Sequence, residues 1–254
     1  PAVYIMIVPG FGVISEVIAC FARKRIYGYS FVAFSSLAIA FLGFLVWGHH
    51  MFTSGMNPYL GEYFSVVTVL ITLPFAVIGL NLIASLWRAD LRLTTAMLFA
   101  IGIISAVGTG GLGGLWLGTA ASDIYFHDSV FVVGHFHFMI GVVTSFGIFA
   151  AIYYWFPKMF GRHMNETLGK IHFWLTISSV FPAFIGMHYL GLGGALRRVY
   201  DPTYYEYVRP LQEMNVWITF LLFISIAGQL VFFVNLFRSL FWGTRAEANP
   251  WNGA

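Results

Sequence analysis

Two histidines one residue apart, His135 and His137, lie in an apolar stretch with no charged residue from Val130 to Phe156. An imidazole in hydrocarbon needs a partner, so ionisable residues within a membrane span are functional candidates by default. Successive helical residues are rotated by about 100°, so this pair projects from opposite sides of one helix. It is poorly placed to chelate one metal and well placed to serve two cofactors flanking the helix. A second pair, His49–His50, ends an earlier apolar segment directly before Met51-Phe52-Thr53. Neutral imidazole suits copper, iron or zinc. Adjacent residues on a straight helix diverge, yet a metal near the helix end could take both; taken alone, the pair reads as structural. Both pairs fall near the same end of their segments, and four histidines at one depth argue for a buried metal or heme cluster.

Other residues have plainer alternatives. His127 and Asp128 stand in a loop before the fifth apolar segment, where they suit a hard divalent ion or, as local sequence favours, a helix cap through Asp128. His163 and His172 read as ordinary loop or interfacial residues, and His188 as a hydrogen-bonded structural histidine. Tyr4 alone reads as an aromatic-belt residue, and Cys20, the single cysteine, as a packing residue. Arg197 and Arg198 form a basic pair in the loop 194–213. They either pair with Asp201, Glu206 or Glu213, or clamp a cofactor's carboxylates with bidentate guanidinium geometry. The run Gly108–Gly118 lacks the Lys-Ser/Thr of a phosphate loop and has small residues at helix-packing spacing.

These side chains must be positioned by helices in a bilayer. The 254 residues are 59% hydrophobic and only 9% charged, against about 25% charged in ordinary soluble domains, so the fold class is an all-α polytopic membrane bundle. Segments near 2–22, 31–52, 62–87, 93–118, 130–156, 171–193 and 214–242 are long enough to span the hydrocarbon, and the chain is read as one transmembrane domain. Pro9, Pro74 and Pro182 fall inside spans, where neighbouring helices re-satisfy the backbone. Arg23-Lys24-Arg25, Arg88 and Arg92, Lys158, Arg162 and Lys170, and Arg238 and Arg245 fall at alternate ends, while the loops 53–61 and 119–129 have no Lys or Arg. The positive-inside rule makes the first span run inward and the C-terminus cytoplasmic, in an integral protein expected in the bacterial cytoplasmic membrane. The basic residues sit in short loops, which argues against a nucleic-acid partner. Pro1 is not an initiator methionine, and no signal-peptide pattern is present.

Taken in order, the motifs resemble subunit I of the heme-copper oxidases, closest to the A-type cytochrome c oxidases. Pro1-Ala2-Val3-Tyr4 with Pro9-Gly10-Phe11-Gly12 resembles that family's sixth helix. Trp47-Gly48-His49-His50-Met51-Phe52-Thr53 resembles the seventh, and His127-Asp128-Ser129 through Gly134-His135-Phe136-His137 the entry to the tenth. Gly191-Leu192-Gly193-Gly194-Ala195-Leu196-Arg197-Arg198 resembles the arginine-pair loop between the eleventh and twelfth.

The resemblance implies the last seven helices of a twelve-helix core subunit. By its motifs His49 and His50 are two of three ligands of the active-site copper. His135 is the axial ligand of the high-spin heme and His137 an axial ligand of the low-spin heme. Tyr4 is the cross-linked proton and electron donor. Arg197 and Arg198 hold heme propionates with Asp123 nearby, and His127 and Asp128 bind magnesium. The implied cofactors are two hemes, expected to be of the a type, with copper and magnesium. The implied partners are subunit II with its copper centre, subunit III, the N-terminal half of subunit I, cytochrome c or a similar donor, and the lipid bilayer.

The third copper histidine would immediately precede Pro1, and the other low-spin ligand lies on an earlier helix, so the chain is expected to be a partial sequence or one half of a split subunit. At the family's proton-delivering glutamate stands Ala2. At the lysine and threonine of its second proton path stand Ile78 and Phe75. Ser15 matches that path, and Thr72 and Asn81 are nearby polar residues that could substitute through ordered water. The expected activity is a terminal oxidase reducing dioxygen to water, coupled to proton translocation and fed by cytochrome c through subunit II. Nitric oxide reduction is the alternative within the superfamily, and a cofactor-free transporter the alternative from another class.

Overall fold

Residues 1–252 are described by a computed structural model. Among them are seven helical spans long and apolar enough to cross a membrane: Ala2–Ala22, Tyr29–Met51, Pro58–Leu86, Thr95–Leu117, Val130–Phe160, Glu166–Leu192 and Glu206–Trp242. The all-α expectation holds, with no strand beyond two isolated bridges among the described residues. Several starts are dictated by caps. Asn57 accepts from the Tyr59 N–H with Pro58 at the first helical position, Thr94 accepts from Met97, Ser129 from Phe131 and Asn165 from Leu168. Each satisfies a backbone donor that the first helical turn leaves unpaired. Asp128 is therefore not the cap of the fifth span. It sits in the left-handed region at φ 53°, which turns its carboxylate away from the helix start, and Ser129 takes the role.

The spans are not uniform. The second leaves the α-helical path after Gly43 and ends in a tight turn over Trp47–Met51, where a continuous helix was expected. Two glycines permit this. A Cβ on Gly43 would fall 2.5 Å from the Tyr4 ring, and one on Gly48 2.3 Å from Phe64. The third span breaks at Ile71 into Pro58–Leu70 and Thr72–Leu86, because Pro74 has no N–H to continue the ladder. The fifth widens into a π turn over His137–Val142, a local under-winding often found at functional sites.

The core lies where the fourth, fifth and sixth spans meet. Phe99 is wholly buried against Phe146, Phe173, Tyr153 and His172, with ring centroids 5.0 to 5.9 Å apart. The fourth span has half of its apolar window buried and the seventh only 17%, so the seventh lies along the sixth and turns Phe220, Phe223, Phe233 and Phe237 outward. Polar side chains hold it there. Gln229 meets His172 at 3.3 Å and Thr176 at 3.1 Å. His172 is not an interfacial residue as its position suggested: it is fully buried, with its second ring nitrogen 3.2 Å from the Tyr153 hydroxyl. Its partners come from two other spans, which no local pattern reveals.

Hydrogen bonds tie the loops into two layers. On the face carrying the basic loops, Lys24 reaches the Trp87 carbonyl at 2.6 Å, and the Arg92 N–H donates to Phe21. The segment after the last span folds back so that the Trp251 indole donates to the Tyr154 carbonyl. On the opposite face, Ser129 bridges Leu196, and the Ala120 N–H donates to Ser65.

Asn235, wholly buried on the seventh span, accepts the Asn165 N–H at 3.0 Å and donates to the Asn165 carbonyl at 2.9 Å. Asn235→Ala leaves both groups unpaired and is expected to cost about 1–3 kcal/mol, read as a lower thermal midpoint in detergent. An unchanged midpoint would mean that the 161–165 loop docks without this side chain.

Candidate metal and cofactor site

The fourth span can approach its neighbours closely because of its glycines. A Cβ on Gly110 would fall 2.4 Å from the Phe138 Cβ, and one on Gly114 2.9 Å from the His135 ring. Close backbone approach through small residues is the usual basis of membrane helix packing, and here it has a chemical result. The Gly110 carbonyl comes within 2.8 Å of the His135 Nδ1. A carbonyl only accepts, so Nδ1 carries the proton and Nε2 is left with its lone pair. The His137 Nδ1 donates in the same way to the Val133 carbonyl at 2.8 Å. This is the arrangement in which a second hydrogen bond orients a ligating histidine.

The two rings also part as their spacing predicts. His135 rests on the fourth span at Gly110, Gly113 and Gly114. His137 instead stacks on Phe136 and faces Phe184 of the sixth span at 5.0 Å.

The His49 and His50 side chains converge. Their Nε2 atoms are 3.1 Å apart, the separation of adjacent corners around a metal with metal–nitrogen bonds of about 2.0 Å. The His49 Nδ1 lies 3.1 Å from the Thr68 hydroxyl, so the third span orients this ring. Thr68 in turn sits against Gly118, whose Cβ would fall 2.5 Å from its methyl, one turn beyond the Gly114 that supports His135. Thus both histidine groups are braced by the same end of the fourth span. Among the described residues no group of three or more His, Cys, Asp or Glu side chains surrounds one point; this chain offers a two-nitrogen edge. Tyr4 lies over Gly43 with its ring 5.9 Å from Phe75. Sequence reasoning missed Thr68 and the Gly110 carbonyl. A hydroxyl in an apolar span, one of several there, was the only signal for the first, and none exists for the second.

The loop residues pair in an unforeseen order. Asp123, only 3% exposed, accepts from the His127 Nδ1 at 2.8 Å. Asp128 receives Arg197 through Nη2 at 2.5 Å and Nε at 2.7 Å, both converging on its Oδ1, a charge-assisted contact. Arg197 therefore does not pair with the three nearer acids suggested by sequence; Glu206 meets Arg209 at 3.7 Å, and Asp201 accepts from Thr203. Arg198 takes a left-handed conformation at φ 63°. Ser15, Thr72 and Asn81 each donate to a carbonyl of their own helix, at Phe11, Val69 and Val77. Ile78 is fully buried.

The hydrogen bond from Arg197 holds the Asp128 carboxyl below the usual carboxylate range, whereas burial pushes Asp123 up against the opposing bond from His127. Asp128 therefore stabilises the loop above the ordinary carboxylate value of about 3.9, and that contribution is lost as pH falls through its depressed folded value. Asp123 acts with the opposite sign, its buried charge opposing folding as pH rises. The Arg197 and Val130 amides, which bond to the Asp128 and Ala195 carbonyls, are expected to exchange faster in acid after correction for intrinsic rates. Asp128→Asn is expected to remove that acid dependence; identical profiles for both proteins would mean that the ion pair does not hold the loop.

Comparison with known proteins identifies the family. The family described as cytochrome c and quinol oxidase polypeptide I matches residues 1–248. The chain is 46% identical over 253 residues to cytochrome c oxidase subunit 1 of Synechocystis sp., covering 99% of this chain and 45% of that protein. It is 42% identical to an alternative cytochrome c oxidase subunit 1 of Bradyrhizobium diazoefficiens, covering 99% of this chain and 43% of the relative. A heme-copper terminal oxidase dimer solved by cryo-EM superposes with a TM-score of 0.84 over 98% of this chain and 48% of that one, at 18% identity, a likeness of fold. The chain spans about half the length of the curated relatives it matches. With seven helical spans and histidines at the motif positions, it belongs to the cytochrome c and quinol oxidase polypeptide I family.

Proposed function

We propose that this chain forms part of the catalytic core of a respiratory terminal oxidase that reduces dioxygen to water at a heme-copper centre. The observation that carries the reading is the 3.1 Å convergence of the His49 and His50 Nε2 atoms, in a member of a family whose relatives are named cytochrome c oxidase subunit 1. In this reading His49 and His50 supply two ligands of the copper, His135 the axial ligand of the high-spin heme and His137 one ligand of the low-spin heme. The hemes, of the a type, and the copper supply the electrons for oxygen reduction when bound.

The protein's own contributions follow from its side chains. The Nδ1 bonds of His135 and His137 hold each Nε2 deprotonated and oriented for a metal. Thr68 aligns His49. Tyr4, at the start of the first span, is the hydroxyl offered as proton and electron donor. Arg197 and Arg198 neutralise propionates, with Asp123 held close by His127. His127 and Asp128 bind magnesium, which requires Asp128 to share its carboxylate with Arg197. Ser15, Thr72 and Asn81 support proton delivery toward the site only by hydrogen-bonding intervening water, since each now bonds within its own span.

In this reading the C-terminal segment lies on the cytoplasmic side of a bacterial membrane, which the positive charge of the loops on that face supports. Electrons enter from cytochrome c through subunit II, with subunit III and the remainder of subunit I completing the assembly, and proton translocation accompanies turnover.

The test uses the assembled complex that contains this chain. Optical spectra are expected to show two heme populations, one of which shifts with carbon monoxide, and dioxygen consumption is expected to exceed nitric oxide consumption. His137→Ala is expected to remove the low-spin signal and leave the carbon monoxide-reactive heme, whereas His49→Ala is expected to remove copper and leave both hemes. A heme-free complex, or faster nitric oxide than dioxygen consumption, would overturn the reading.

A further inference from the structure

His188 of the sixth span belongs to none of the ligand sets above, yet it occupies a space made for it. A Cβ on Gly134 of the fifth span would fall 2.6 Å from its Nδ1, and one on Gly113 of the fourth span 3.0 Å from its Nε2. Phe131 meets its ring edge-on at 4.7 Å, and Phe138 lies 5.9 Å away. Two glycines and two phenylalanines on neighbouring spans thus enclose one imidazole. Its tautomer follows from its partner: Nδ1 meets the Phe184 carbonyl at 2.7 Å and must carry the proton. Nε2 is then a lone pair, and no described residue donates to it.

That nitrogen and the Nδ1 of His135, the ligand assigned above to the high-spin heme, both face Gly113. The same Cβ position on Gly113 that lies 3.0 Å from the His188 Nε2 lies 3.4 Å from the His135 Nδ1. On its other side, His135 is stopped by Gly114. Its N–H is already polarised by the Gly110 carbonyl at 2.8 Å. A second negative end of a dipole across Gly113 from that N–H, in a low-dielectric interior where dipoles act strongly, would make the imidazole more basic at the opposite nitrogen.

We propose that His188 is a positioning residue for the axial ligand: its Nε2 lone pair, facing Gly113 from the other side, biases the orientation of His135 and strengthens it as a donor to the heme iron. The role rests on the assignment of His135 as that ligand. An apolar side chain of similar size would fill the space without the lone pair, which separates this role from packing.

The experiment is resonance Raman spectroscopy of the reduced, ligand-free complex, reading the iron–histidine stretching band. His188→Leu is expected to lower its frequency while heme content is retained, and His188→Gln, which returns an acceptor oxygen, is expected to move it back toward the unsubstituted value. Gly113→Ala intrudes on both rings and is expected to shift the band, whereas Gly111→Ala, with nothing within 4 Å of its Cβ, is expected to leave it in place. An unmoved band in heme-loaded His188→Leu would overturn the proposal. If that variant does not assemble, an unmoved band in Gly113→Ala overturns it instead. An iron–histidine band missing from the unsubstituted complex would overturn the oxidase reading of His135 itself.

Discussion

The close seating of the glycine-rich fourth span against the fifth is the constraint on which the site depends. With no Cβ at Gly110, Gly113 and Gly114, the two backbones approach until a carbonyl of one helix becomes the hydrogen-bond partner of a histidine on the other. That contact decides the tautomer of His135 and therefore which nitrogen is available to a metal. The same helix, one turn further on, receives Thr68 at Gly118 and through it steadies His49. A single packing surface thus sets the orientation of ligands that arrive from different spans.

Around this surface the bundle uses polar contacts sparingly and places them at its ends and its seams. Glu166 accepts from the Thr95 N–H at 2.9 Å, Asn235 clasps Asn165, and Gln229 joins His172 to Thr176. In hydrocarbon each of these groups would be costly unpaired, so each pair also specifies the register between two spans. The aromatic core around Phe99 supplies bulk but little direction. The two kinds of packing divide the work: apolar rings fill, and the few polar pairs locate.

The loop at the other face obeys a similar rule with charge. Asp128 and Arg198 adopt left-handed conformations that ordinary side chains avoid. The convergence of the Arg197 Nε and Nη2 on one Asp128 oxygen, together with the backbone bond between the same two residues, holds the turn in that shape. Burial raises the proton affinity of Asp123, and His127 answers it. Both acids of this loop are therefore committed to neighbours within the protein, and a cation or propionate arriving here must share or displace those partners.

The seven spans, the helical class and the opposite projection of His135 and His137 were legible in the residues alone, because they depend on local composition and on helical periodicity. The ordered motifs likewise made the family legible. Other features depended on contacts between residues far apart in the chain. These were the convergence of the His49 and His50 nitrogens in a tight turn, the carbonyl that Gly110 presents to His135, the burial of His172 and the choice of Asp128 as partner to Arg197. Periodicity tells a side chain which way to face, but only the packed neighbours decide what it meets there, and in this bundle glycines without side chains of their own decide how near those neighbours come.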